Sequence, residues 1–172
     1  MQQNTQRLIL MRHAKAEPAG SAADEIRPLA LKGRRQATAA AGMLNELEIV
    51  PDTIWCSTAL RTKQTLELVN GKLDNPAPVE FRSELYIARV RDLLTMIQEL
   101  DGVSTLLIVG HEPVMSATAA YLASEQSDQG AYYQARIGVP TASFMVLESQ
   151  LPWAQWDGKA VDLQMLARPE VQ

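Results

Sequence analysis

Thr105-Leu106-Leu107-Ile108-Val109, closed by Gly110-His111, is the stretch on which the fold turns. Its unbroken apolar character and short length make it the strongest strand signal in the chain. Pro113 suits the first position of a helix running on to about Ala123. Leu8-Ile9-Leu10-Met11 has the same form and stops at Arg12-His13; alone, it fits a buried strand or a helical turn. Further strands are expected at Asp52–Cys56, after Pro51, and around Val79–Phe81, after the turn Asn75-Pro76-Ala77-Pro78. Two more fall at Ala142–Leu147 and at Ala160–Leu166, the last behind the hairpin-type signal Asp157-Gly158. Helical spacing covers Leu29–Leu47 and Ala59–Leu73, the latter capped by Ser57 or Thr58. Val90, Leu93, Leu94, Ile97 and Leu100 form an amphipathic stripe ended by Asp101-Gly102. Glu17–Pro28 and Gln126–Gly138 read as loops. Strands alternating with helices predict an α/β three-layer sandwich with a mostly parallel central sheet and an antiparallel edge strand. Active sites in such sheets lie beyond the carboxyl ends of the strands, where both histidines fall.

Length and composition narrow the possibilities. The 172 residues predict one domain spanning 1–172. Hydrophobic residues at 47% and charged residues at 21% are globular values, which excludes disorder and fibrous repeats. Sixteen Lys and Arg against 20 Asp and Glu give a net charge of -4, which argues against nucleic acid as a partner. The one cysteine excludes an internal disulfide. The apolar run Leu8–Met11 is too short for a signal peptide or membrane span, so no membrane association is expected and the cytoplasm is the default location.

Three strand ends supply Arg12-His13, Ser57 to Arg61, and Gly110-His111 to one crevice. Arginine presents a rigid fork that matches phosphate oxygens two at a time. An imidazole with a pKa near 6.5 is mostly neutral at pH 7 and can attack phosphorus. The residues alone therefore point to phosphoryl transfer through a phosphohistidine, with no metal required.

Five stretches carry a family resemblance. Leu10-Met11-Arg12-His13-Ala14 resembles the Arg-His-Gly motif of the histidine phosphatase superfamily, the group that includes phosphoglycerate mutases. Arg27-Pro28-Leu29 with Gly33 and Ala37 resembles the start of the first helix in its SixA-type phosphohistidine phosphatases. Ser57 to Thr65, ending in Gln-Thr, resembles the second arginine motif, and Val109-Gly110-His111-Glu112-Pro113 the second histidine motif. Val139-Pro140-Thr141-Ala142 and Trp153 resemble the SixA-type C-terminal part. The matches span most of the chain in family order. The resemblance implies that Arg12 and Arg61 bind phosphate, that His13 is the nucleophile, that His111 contacts the moving phosphoryl group, and that neither metal nor cofactor is used. It also makes Glu84, after a short strand, the candidate proton donor. Ala14 departs from the commonest glycine, and Glu112 stands where asparagine is common.

Mutase and large acid-phosphatase members of the family carry insertions that form a cap over the site, for which 172 residues and short connections leave little room. The expected site is open and suits a phosphorylated protein, for instance a histidine-containing phosphotransfer domain. A phosphatase for small phosphate esters is the alternative, and a non-catalytic phospho-binding module is the alternative of another class. Blander roles compete at single positions. Glu84 fits a surface carboxylate as well, and Arg27 fits either a substrate contact or a loop-anchoring ion pair. Lys15 is expected to be solvated, and Ser57 to cap a helix. Cys56 lies one residue too close to Arg61 for a cysteine-dependent phosphatase and reads as core. A His-Glu zinc motif fails because position 115 is Met115.

Overall fold

The computed structural model describes residues 4–171. Six strands, β1 (Gln6–Arg12), β2 (Thr53–Cys56), β3 (Val79–Phe81), β4 (Thr105–Gly110), β5 (Phe144–Ser149) and β6 (Asp162–Ala167), form one sheet in the order β3-β2-β4-β1-β5-β6. β1, β2, β3 and β4 pair in parallel. β5 runs antiparallel to β1, and β6 antiparallel to β5. The expected antiparallel edge is therefore two strands deep.

Side-chain alternation sets the layers. Leu8, Leu10, Leu106, Ile108, Met145 and Leu147 point to one face. There they meet α4 (Val90–Gln98), α5 (Val114–Leu122) and α6 (Gln129–Ile137). Ile9, Met11, Leu107, Val109, Phe144 and Val146 point to the other, against α1 (Leu31–Glu46) and α2 (Leu60–Lys72). α3 (Glu84–Ile87) is a single turn beyond β3. The longest connection over the site is residues 13–30, which hold only a 3-10 turn, Asp24–Ile26. No helix among the described residues is long and apolar enough to cross a membrane.

Three expectations need correction. The segment 126–138 is not all loop, because α6 occupies Gln129–Ile137. Asp128 caps it by accepting from the Ala131 amide at 2.8 Å, and Gly138 ends it at a φ of 107°. The fifth strand starts at Phe144 rather than Ala142, since Ala142 is left-handed with a φ of 63° and Ser143 N donates to Pro140 O in a turn. Asp157-Gly158 makes a turn held by the Asp157 side chain, but it does not join β5 and β6 tightly. The linking segment instead buries Trp153 and Trp156, whose ring centroids lie 4.5 Å apart.

Candidate active site

The site forms where β1, β2 and β4 end. Arg12 is the last residue of β1, and the His13 amide donates to Gly110 O at the end of β4, at 3.0 Å. The His13 ring is 8% exposed, with Nδ1 2.7 Å from the Ala14 carbonyl oxygen. A carbonyl only accepts, so Nδ1 carries the proton and Nε2 keeps its lone pair. Burial pulls the His13 pKa down to about 4; the Ala14 carbonyl opposes this, and His111, Arg61 and Arg12 add to it. The ring is neutral at pH 7, as a nucleophile must be.

His111 follows β4 directly. Its Nε2 lies 2.7 Å from Ser57 Oγ, and its Nδ1 3.5 Å from Arg61 Nη2. Since guanidinium only donates, Nδ1 accepts and the Nε2–H donates to Ser57. Burial, then Arg61, lowers the His111 pKa to about 4 against the pull of Asp24. The two histidine rings meet edge to face with centroids 5.4 Å apart.

The two guanidinium groups are held at their outer ends. Arg12 Nη1 donates to Val139 O at 2.8 Å. Arg61, in the first turn of α2, donates from Nη1 to Asp24 O at 2.8 Å and from Nη2 to Asp24 Oδ2 at 3.0 Å. The Nε atoms of both arginines are buried donors without a partner among the described residues. Leaving a buried donor unpaired costs about 1–3 kcal/mol, which an entering oxyanion would offset. The cavity between them is about 540 Å³, and Arg12, His13, Lys15, Arg27, Arg61 and His111 border it.

Two helices fasten the chain behind His13. Ala14 N donates to Thr65 Oγ1 at 3.0 Å, and Thr65 Oγ1 donates to Arg61 O at 2.7 Å. Gln64 Oε1 accepts from Leu29 N at 2.7 Å, and buried Gln36 Oε1 accepts from Lys15 N at 2.9 Å. The Gln-Thr pair thus ties α2 to both ends of the loop that follows the nucleophile. Gly33 lets α1 come close: a Cβ there would lie 2.0 Å from Lys15 O. Ala14 is buried without a positive φ, so a methyl group fits where glycine is commoner. The Glu112 carboxylate is engaged by Ser116 N at 2.8 Å, Ser116 Oγ at 2.6 Å and Val139 N at 3.1 Å. It therefore braces the loop that receives Arg12.

Of the expected residues, the structure brings Arg12, His13, Arg61 and His111 together and leaves Glu84 outside. The Glu84 side chain is 61% exposed, 3.9 Å from Arg82 Nη2, and does not border the cavity. The reason is the turn of α3, which buries Leu85 and carries Tyr86, two residues on, to the cavity. The Tyr86 ring stands perpendicular to His111 with centroids 5.5 Å apart, and its hydroxyl donates to Asp24 Oδ2 at 2.6 Å. That hydrogen bond, with those from Arg61 and Arg27, holds the Asp24 carboxyl down at about 2. Arg27 both anchors the loop, donating to Asp24 Oδ1 and Glu17 O, and borders the cavity. Lys15 is exposed, as expected, and also borders the cavity. Ser57 serves His111 more than the helix, since its contact from Ala59 N is 3.4 Å. Cys56 is buried core, its thiol pushed up to about 12 by burial. Asp24, Tyr86 and the role of Ser57 were not read from the sequence; only Ser57 had a signal, its place at a strand end inside the second arginine motif. Among the described residues, no three His, Cys, Asp or Glu side chains group as a metal site.

Paired imidazoles between two arginines, at the ends of parallel strands, define a phosphatase of the α/β class. The chain belongs to the histidine phosphatase superfamily. The family model of its branch 1 matches residues 8–86. The phosphohistidine phosphatase SixA of Escherichia coli is 30% identical, over 67% of this chain and 73% of that protein. An uncharacterized protein of Mycobacterium tuberculosis is 40% identical over 84% of this chain and 90% of that one. Among solved structures, a SixA-named protein of Nakamurella multipartitia superposes with a TM-score of 0.83 at 35% identity, over 97% of this chain and 98% of that one.

Proposed function

We propose that this enzyme removes the phosphoryl group from phosphohistidine on a protein, through a phosphohistidine formed on His13 and without a metal ion. The observation that carries the reading is the His13 ring: neutral, with Nδ1–H committed to Ala14 O, so that Nε2 keeps its lone pair, beside a cavity that Arg12 and Arg61 also border. Nε2 attacks phosphorus, the N–P bond forms, and the bond to the leaving group breaks. Water then attacks the phosphoenzyme, its oxygen bonding to phosphorus as the N–P bond breaks, and His13 returns to the neutral form. Arg12, Arg61 and His111 bind the charge on the equatorial oxygens.

The carboxylates at the cavity favour an imidazole leaving group. Asp24, with its pKa near 2, is ionised at pH 7. The Glu112 carboxylate accepts from three donors. Neither is set to protonate an alkoxide, a service worth about 10²–10⁴-fold in ester hydrolysis. Imidazole takes its own proton near neutral pH and needs no such donor. The SixA relative, named a phosphohistidine phosphatase, supports the same substrate class. Residues 1–172 would act as one domain, in the cytoplasm, where a single free thiol such as Cys56 is ordinary.

Brief reaction with a phosphohistidine protein, then quenching, should leave an acid-labile, base-stable phosphate on the peptide containing His13. His13→Ala should fold and lose that label together with turnover, and a chelator should leave the wild-type rate unchanged. A label on another residue would remove the mechanism, and activity lost to chelator and restored by a divalent ion would replace it with metal catalysis.

A further inference from the structure

Beside the catalytic cavity lies a second one, of about 640 Å³. The two share Thr141 in their walls. The ridge between them is built: Gln36 Oε1 accepts from Thr141 Oγ1 at 3.1 Å and from Lys15 N at 2.9 Å. Lys32 and Arg168 border the second cavity, and Lys15 borders the first. None of these three cations has an ion-pair partner among the described residues. Glu170 is the one carboxylate bordering the second cavity among the described residues. Ser143, also in its wall, is fully buried, and its hydroxyl has no partner among the described residues. An unpaired buried hydroxyl is costly unless a ligand or a neighbour satisfies it.

These features stand out against a chain whose net charge is -4. A protein of that charge repels an acidic partner as a whole, so attraction must come from local cations focused at the point of docking. Lys15, at the phosphate pocket, and Lys32 and Arg168, at the cavity adjoining it through Thr141, supply such a focus. We propose that the second cavity receives an acidic side chain of the same phosphoprotein whose phosphohistidine enters the first. The inference rests on the phosphohistidine reading above and adds a sequence preference to it: carboxylates flanking the phosphorylated histidine. A side chain next to a phosphohistidine seated on His13 must land outside the first cavity, and the adjoining space is lined to accept an anion.

The test uses two phosphohistidine peptides made by chemical phosphorylation, identical except for glutamates or glutamines on both sides of the histidine, with an aryl phosphate as reference. An exposed ion pair is worth up to about fivefold in affinity. Wild type should show a KM about fivefold lower for the glutamate peptide with kcat unchanged, and added salt should erode the difference. Lys32→Ala with Arg168→Ala should bring the two peptides together while leaving aryl phosphate hydrolysis as it was. No preference in wild type, or a preference that survives the double substitution, overturns the inference while leaving the phosphohistidine reading in place. An equal loss on peptides and aryl phosphate overturns it too, by showing a structural role for the two cations. Wild type that cleaves the aryl phosphate but neither peptide removes the phosphohistidine reading itself, and the flanking preference with it.

Discussion

Each active-site histidine is committed at one nitrogen by a bond that fixes its tautomer: His13 to the Ala14 carbonyl, His111 to Ser57. Burial and the arginines then keep both rings neutral well below their ordinary range. The chain has only these two histidines, so the consequence is directly measurable. Proton NMR should show both Cε1–H signals titrating near pH 4 in the free enzyme rather than near 6.5. Saturating inorganic phosphate should move both midpoints upward, because a nearby anion favours imidazolium. Free-enzyme midpoints at 6.5 would show that the rings are solvated and the site open to water. Asp24 poses the opposite problem, an anion held at Arg61 where phosphate must bind. Asp24→Asn keeps the backbone carbonyl that holds Arg61 Nη1 and removes the charge. Competitive inhibition by phosphate should tighten by about threefold to fivefold, with kcat changed by less than about threefold. Weaker inhibition would instead mean that the carboxylate positions the Arg61 fork.

At the scale of elements, the nucleophile loop is a joint between helices rather than a free connection. α1 reaches it through Gln36 and the close approach at Gly33, and α2 through Gln64 and Thr65. Gly33→Ala puts a methyl group against the Lys15 carbonyl, which is backbone and cannot swing aside. It should destabilise the fold by about 1–3 kcal/mol in urea unfolding and lower kcat/KM as the loop is pushed out. Wild-type values for both would mean that α1 can recede at no cost. The strands that present Arg12, His13 and His111 were legible because a buried parallel strand is a continuous apolar run, and the abrupt change at its end marks the site. α6 was not, because Ala131 and Ala135 are its buried residues and small side chains leave little hydrophobic period. Its Asp128 cap and Gly138 stop were the available signals. Glu84 misled because position after a short strand does not say which residue of a four-residue turn faces inward. Asp24 and Tyr86 meet across 62 positions of chain, a contact that no local pattern encodes.

For the molecule as a whole, the depressed histidines link stability to pH. Unfolded histidine has a pKa near 6.5, whereas both native rings sit near 4. Between these values the unfolded chain binds more protons, so stability rises with pH: it is complete above 6.5 and is lost as pH falls toward 4. The loss approaches roughly 3 kcal/mol for buried His13 and is smaller for the more accessible His111. Asp24, depressed to about 2, contributes stability that disappears only below its ordinary carboxylate range. The urea midpoint should therefore fall between pH 7 and pH 5, and less so in His13→Asn; a midpoint constant across that range contradicts the linkage. The sheet order carries a consequence of another kind. β1 is bordered on one side by β4 and on the other by β5, both far downstream. A chain leaving the ribosome therefore exposes its nucleophile strand well before either strand that will border it. At about 5–20 residues per second, the wait is on the order of ten seconds. Through that interval Leu8–Met11 is an unpaired apolar strand within reach of chaperones, and catalytic competence waits until β4 and β5 have been made.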